Sequence, residues 1–227
     1  MAKKRKEIRV GICPVCVEEK ALTNDHIPPR GIFLKPRPPN TITVLTCSGC
    51  NGGSKLDDEY FRVYIAAAAE PGSHLHRLWK EKVVESTFRR SPALRTVLAM
   101  QMDQLKQHHK AEPLRTFDGR TLSDEEAERA LPLLKDRIDR VVTKIVRCLH
   151  VHHGGAPLPV STSLTVSVEP LDEAEIEQTI RDRTGLVGGQ AGEFIYRRAA
   201  GTRPGASEWI LFFYLTHEFR VHVDSGE

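Results

Sequence analysis

No run of apolar residues approaches the roughly 18–20 that a bilayer-spanning helix requires. The longest candidate, Ile65 to Ala69, is far too short. Cysteine is sparse, at five in 227 residues, which excludes a disulfide-dense miniprotein. Glycine, at 16, lies far below the third or so of a collagen-like fibre, and 40% hydrophobic residues is too many for a disordered chain. Behind Met1-Ala2-Lys3-Lys4-Arg5-Lys6 there is no apolar stretch. No secretory signal is read there, no membrane association is expected, and a reducing cytoplasm is the expected compartment. The length suits one large domain or two small ones.

Net charge is low, at +3, but unevenly placed. Residues 1–56 hold ten Lys and Arg against four Asp and Glu, a balance of +6, so residues 57–227 carry −3. A basic front segment on a near-neutral chain points to a local contact with a polyanion. For Lys3 to Lys6, a mobile, solvated lead-in over residues 1–10 is an equal reading.

The spacing of the cysteines says more than their number. Cys13 and Cys16 form one C-x-x-C pair, Cys47 and Cys50 a second. In a reducing compartment stable disulfides are not expected, and a redox C-x-x-C needs a βαβ context that this sequence lacks. Two knuckles, one with Pro14 and one with Ser48-Gly49, then read as a four-thiolate structural zinc site. Residues 11–56 are loop-rich and poor in large apolar side chains, so such a staple would supply their stability. Cys148 falls in an apolar helical pattern and reads as a core thiol.

The remaining pattern predicts an α+β chain in three parts: a zinc-held unit over residues 1–70, a helical connector over 71–114 and an accessory α+β domain over 115–227. Asp57-Asp58-Glu59 predicts the first turn of a helix that ends near Pro71-Gly72. Further helices are expected from His74 to Thr87 and from Ser91 to His108, followed by a turn at Asp118-Gly119. Ser123 to Glu126 matches a capping box and opens a long helix through Ile138, Val142, Ile145 and Leu149, with Pro132 as a kink or the true start and Gly154-Gly155 as its end. A strand over Pro159 to Val168, a helix over Asp172 to Asp182, and strands over Glu193 to Ala199, Trp209 to Leu215 and Phe219 to Val223 complete an antiparallel sheet. Its aromatic residues read as core.

Between the cysteine pairs stands Asn24-Asp25-His26-Ile27-Pro28-Pro29, with Asn40 ahead of an alternating strand. After the last cysteine comes Asn51-Gly52-Gly53-Ser54-Lys55. Phosphodiester hydrolysis needs a base near neutral pH, oxygen donors for a hard divalent ion, and positive charge at the phosphate. His26, the pair Asp25 and Asn51, and Lys55 offer one of each. Taken singly, each is an ordinary surface or turn residue. His74 and His76 are two apart and should not share a metal on a helix; the histidines at 108–109 and 150–153 read as helix-end or solvated groups. Arg89, Arg90 and Arg95 could extend a phosphate surface.

Taken together, the two C-x-x-C pairs, Asp25-His26-Ile27-Pro28-Pro29, Asn40, and Cys50-Asn51 with Lys55 resemble HNH endonucleases, the ββα-metal or His-Me finger group, in its four-cysteine zinc subset. The resemblance spans residues 10–70. It implies a hairpin and helix with His26 as general base, Asp25 and Asn51 holding one Mg2+ or Mn2+ ion, Asn40 orienting His26 through its backbone carbonyl, and Lys55 near the phosphate. Many members end the motif with histidine where this chain has Asn51, which favours an ion harder than zinc. The implied product ends are 5′-phosphate and 3′-hydroxyl. DNA is the expected partner, with RNA and an oligomeric state left open, and roles in restriction or phage defence are family-level expectations. The rival readings are a non-catalytic zinc module that binds nucleic acid or protein, and a nuclease unit governed by a sensing C-terminal domain.

Overall fold

The computed structural model describes residues 9–115, 120–124, 127, 134–182, 186–187, 192–201 and 206–224. The first layer is a three-stranded antiparallel sheet in the order β1-β2-β3, formed by β1 (Arg9–Ile12), β2 (Glu19–Ile27) and β3 (Ile42–Cys47). Arg9 and Val10 pair with β2, so the lead-in expected over residues 1–10 gives way to an edge strand from Arg9, while Lys3 to Lys6 lie outside the described residues. Between β1 and β2 the chain turns tightly, with Val17 N–H donating to the Cys13 carbonyl at 2.8 Å and Val17 at φ 58°.

β3 leads directly into α1 (Ser48–Gly52) and, after Gly53-Ser54, into α2 (Lys55–Ala67). The helix thus begins earlier than the acidic turn at Asp57 predicts. α2 buries Tyr60, Phe61, Val63, Ile65 and Ala66. Next come α3 (His74–Leu78), a π-helical stretch over Trp79–Thr87 and α4 (Phe88–Arg90), then α5 (Pro92–Ala111) with proline in its first turn. The turn at Asp118-Gly119 is outside the described residues, although Arg115 and Thr121 on either side of it form an antiparallel bridge. So are Glu125, Glu126 and the span 128–133 that contains Pro132, where the long helix was expected to open.

That helix, α6 (Lys135–His152), carries the buried stripe Ile138, Val141, Val142, Ile145, Val146, Cys148 and Leu149. Gly154 takes φ +84° just past its end, and the N–H groups of Gly154 and Gly155 return to the carbonyls of Val151 and His150 at 3.0 Å. A left-handed residue with no Cβ closes the helix there without strain.

The second sheet has five antiparallel strands in the order β4-β8-β7-β6-β5. They are β4 (Ser163–Glu169), β5 (Leu186–Val187), β6 (Phe194–Ala200), β7 (Ser207–Phe213) and β8 (His217–Asp224), with α7 (Glu173–Asp182) between β4 and β5. Alternation sends Trp209, Leu211 and Phe213 to one face of β7, and Ile210 and Phe212 to the other. One apolar cluster runs from Ile27 and Val44 through Phe61 and Ile145 to Phe219 and Val221. The three segments read from the sequence therefore share a core. The fold is α+β, and no helix among the described residues is long and apolar enough to cross a membrane.

Candidate functional site

Cys13 and Cys16 flank the β1–β2 turn, Cys47 ends β3 and Cys50 lies in α1. All four Sγ atoms are within 4.8 Å of one another, and none is in a disulfide. A tetrahedral ion with metal–sulfur bonds of ~2.3 Å sets neighbouring sulfurs about 3.8 Å apart. Cys16 Sγ and Cys47 Sγ are 3.9 Å apart. The N–H of Cys47 donates to Cys13 Sγ and that of Cys50 to Cys47 Sγ, each at 3.4 Å. Burial pushes the Cys47 thiol up, but the hydrogen bonds from Cys50 and the neighbouring sulfurs outweigh it and bring it to about 7. Four thiolates cannot share this space without a cation among them. The cluster can hold a metal ion such as zinc. Cys148, fully buried in α6, is a core thiol pushed up to about 12 by burial.

One turn of chain beyond the staple lies a cleft of about 610 Å³, lined by Asp25, His26, Asn51 and Lys55 together with Asn24, Arg30, Asp58, Glu59, Arg62 and Arg90. Four of the five non-cysteine residues singled out in the sequence thus meet at one place. The fifth, Asn40, sits exposed in the turn before β3 and is not part of the cleft wall.

Asp25 and His26 are consecutive in β2, so they leave opposite faces of the strand. Asp25 lies opposite Val44 and shares the buried face with Ile27. Its Oδ2 accepts from Thr46 Oγ1 at 3.1 Å and pairs with Lys144 Nζ at 2.8 Å. His26, opposite Thr43, is half-buried. Burial first, then the charge of Arg30, lowers its pKa below the ordinary imidazole value despite the neighbouring Asp25. The ring is therefore neutral near pH 7. Asn51 donates through Nδ2 to Thr23 Oγ1 at 3.0 Å and to the Asn24 carbonyl at 3.1 Å, which locks the amide and leaves its oxygen as the acceptor end. Lys55 opens α2 on the cleft rim.

No family model, no curated protein and no solved structure matches this chain. What the site can do rests on its own chemistry.

Several cleft residues carried no clear sequence signal. Asp58 reads from sequence as a helix-dipole acid, yet it faces the cleft, its Oδ2 accepts from Ser54 Oγ at 3.2 Å, and its Oδ1 is buried without a partner. Burial raises its pKa to about 6, against the lowering effect of Lys144. Arg62 is 7% exposed, donates to Thr87 Oγ1 at 2.5 Å and leaves Nε unpartnered. Of the arginines offered as a phosphate surface, Arg90 reaches the cleft, where it lies 3.7 Å from Glu59. The other histidine groups are engaged elsewhere: His76 Nδ1 accepts from Gly72 N–H at 2.9 Å, His109 Nδ1 from Leu114 N–H at 3.0 Å, and His153 bonds Tyr196 Oη at 2.9 Å. Among the described residues, no group of three or more Cys, His, Asp or Glu side chains converges as the four cysteines do.

Proposed function

We propose that this protein is a metal-dependent HNH-type endonuclease that hydrolyses DNA phosphodiester bonds in the cleft beside the cysteine cluster. The observation that carries the reading is that Asp25, His26, Asn51 and Lys55 line one cleft, although they come from a strand, a short helix and the start of another.

In this reading the cysteines hold a structural zinc ion. A catalytic Mg2+ or Mn2+ ion would be held by the Asp25 carboxylate and the Asn51 amide oxygen. The donor types suit it: both are hard oxygens, and the Asn51 amide is fixed by two bonds through its nitrogen. Once bound, such an ion neutralises charge at the phosphate and the leaving oxygen. His26, its pKa lowered by burial and by Arg30, takes the proton from the attacking water through an imidazole nitrogen. Lys55, with Arg30 and Arg90 around the same cleft, binds the phosphate oxygens and favours charge on them. Three acidic and four basic side chains line the cleft, so a polyanion is a better match for it than a neutral substrate. Contacts mainly to phosphates make binding salt-sensitive and weakly sequence-selective. A role in restriction or phage defence inside the cytoplasm accords with this chemistry.

The test is digestion of plasmid DNA with added Mg2+ or Mn2+, comparing the wild type with His26→Ala. Loss of cleavage in the variant is expected; equal cleavage by both rejects the assignment. A second reading, a non-catalytic zinc module that binds nucleic acid or protein, is favoured by one observation: Oδ2 of Asp25 is already taken by Lys144. An intact, zinc-loaded chain that binds no second metal and cleaves neither DNA nor RNA would establish it.

A further inference from the structure

Lys144 belongs to α6, far along the chain from the cysteine-stapled unit, yet its ammonium pairs with a carboxylate that lines the cleft. Nζ stands 2.8 Å from Asp25 Oδ2, with the side chains of Lys144 and Asp25 6% and 9% exposed. A second bond runs from Nζ to Ser54 Oγ at 3.2 Å, and Ser54 in turn donates to Asp58. The ammonium is thus linked to both inner carboxylates of the cleft, to Asp25 directly and to Asp58 through Ser54. A lysine on an amphipathic helix ordinarily keeps its charge in water; here the charge is buried and neutralises Asp25 on its own.

An ion that took Asp25 as a ligand would stand within a few ångström of this ammonium, and like charges that close in a poorly hydrated site repel strongly. Resting on the nuclease reading above, we propose that Lys144 is the resident counter-cation of Asp25 and competes with the divalent ion for that carboxylate. Asp25 without an ion is then already neutralised, and loading an ion requires the ammonium to withdraw. Space for that withdrawal lies on the other side of the same side chain. Lys144 also lines a second cavity of about 450 Å³, between α6 and the cysteine knuckle, whose wall includes Ser54, Asp57 and Asp139. The carboxylates in that wall, Asp57 and Asp139, are already paired with Arg140 and Lys135, so the displaced ammonium moves into the solvent of this cavity and not onto a second carboxylate. In this arrangement a residue outside the motif unit sets how readily the site takes up its ion.

The test measures Mn2+ affinity by calorimetry and by the Mn2+ spin-resonance signal, without nucleic acid, on the full zinc-loaded chain. The wild type, Lys144→Met and Lys144→Gln are compared, with circular dichroism as the check on folding. Both variants should bind Mn2+ at least tenfold more tightly than the wild type, and Asp25→Asn should remove the site. Unchanged or weaker binding in folded variants overturns the proposal, as does absence of Mn2+ binding in every protein. Should both variants unfold, the wild type decides: the lysine 13Cε resonance of Lys144 shifts as Mg2+ is titrated in if the ammonium is displaced, and one that stays fixed through saturation overturns the proposal. Plasmid cleavage separates this outcome from that of the nuclease reading. Cleavage by the wild type with unaltered Mn2+ affinity in the variants rejects the counter-cation role alone. Tighter Mn2+ binding in the variants with no cleavage by any protein rejects the nuclease and retains the competition.

Discussion

Asp57 and Arg140 form a two-pronged ion pair between α2 and α6, with Arg140 Nε 2.7 Å from Oδ2 and Nη2 3.0 Å from Oδ1. Arg137 adds a third bond to Oδ1 at 2.9 Å. The Arg140 hydrogen bond is the main cause that holds the Asp57 carboxyl below its ordinary value. This contact ties α6, the helix that carries Lys144, to the first turn of α2.

Asp57→Asn should therefore cost about 1 kcal/mol near neutral pH, a modest figure because the Arg140 side chain is 58% exposed and its attraction is screened by solvent. A depressed carboxyl stabilises the fold above its unfolded pKa of about 3.9, and that stability is lost as pH falls through the lower folded value. Melting curves from pH 6 to pH 3 should show the gap between wild type and variant narrowing below pH 4. A gap that persists unchanged at pH 3 contradicts the pairing as its source.

Removing the metal from the cysteine cluster should be far more damaging. Apparent binding energies of structural zinc sites run to the order of 10 kcal/mol, and over residues 9–24 only Cys13 and Pro14 are buried. The purified chain should carry one zinc per molecule by mass spectrometry. A strong chelator, or Cys13→Ser, should lower the melting temperature by roughly 10 °C or more. Amide exchange should accelerate first in β1 and the start of β2, next to the turn the sulfurs close. Retention of full stability without metal would argue that the sulfurs are ordinary packed thiols.

How much of this was readable beforehand differs from element to element. The stripe Ile138, Val142, Ile145 and Leu149 announces α6 because a half-buried helix repeats its apolar residues every three or four positions, and each is buried. The four strands of the second sheet that have seven or eight residues are legible for the analogous reason. β1 is not, since Val10 and Ile12 are 65% and 47% exposed and the strand exists through its pairing with β2. β5, with two residues, is too short to hold any period. The cysteine pairs, Asp25, His26, Asn51 and Lys55 could be singled out because local spacing carried them. Arg62, Asp58 and above all Lys144 could not. A lysine or an acid on a helix looks solvated in sequence, and its burial is decided by which distant element packs over it.

If His26 is the base, its titration should govern the acid limb of cleavage. Burial and Arg30 lower its pKa, so the neutral ring persists below the ordinary value of about 6.5. The acid limb of kcat/KM should therefore have its midpoint below pH 6.5, where the ring takes up its proton. Arg30→Ala removes a repelling charge and should move that limb upward toward 6.5, whatever it does to the rate at the plateau. His26→Ala should reduce the plateau itself by about 10²–10⁴-fold with the fold intact. A limb that stays in place in Arg30→Ala would point to a group other than His26.

The shared core makes one further demand. Phe61 of α2, fully buried, packs edge-on against Phe213, with ring centroids 5.1 Å apart, and at a 41° tilt against Phe219, at 5.8 Å. Tyr60 accepts from the Leu134 N–H at 2.9 Å, and Tyr214 Oη donates to the Ile32 carbonyl in the loop that joins β2 to β3. Each large side chain stripped of its partners loses about 3–5 kcal/mol, and several would lose them at once. A fragment of residues 1–114 would keep the four clustered cysteines, Asp25, His26, Asn51 and Lys55, yet expose the face of α2 that the second sheet and α6 cover. It should bind zinc at the cysteines but melt without a cooperative transition, be cut rapidly by proteases within α2, and show no cleavage of plasmid DNA. A stable, active fragment would mean that the motif unit stands alone and that the packing of Phe61 against Phe213 serves only to dock the rest of the chain.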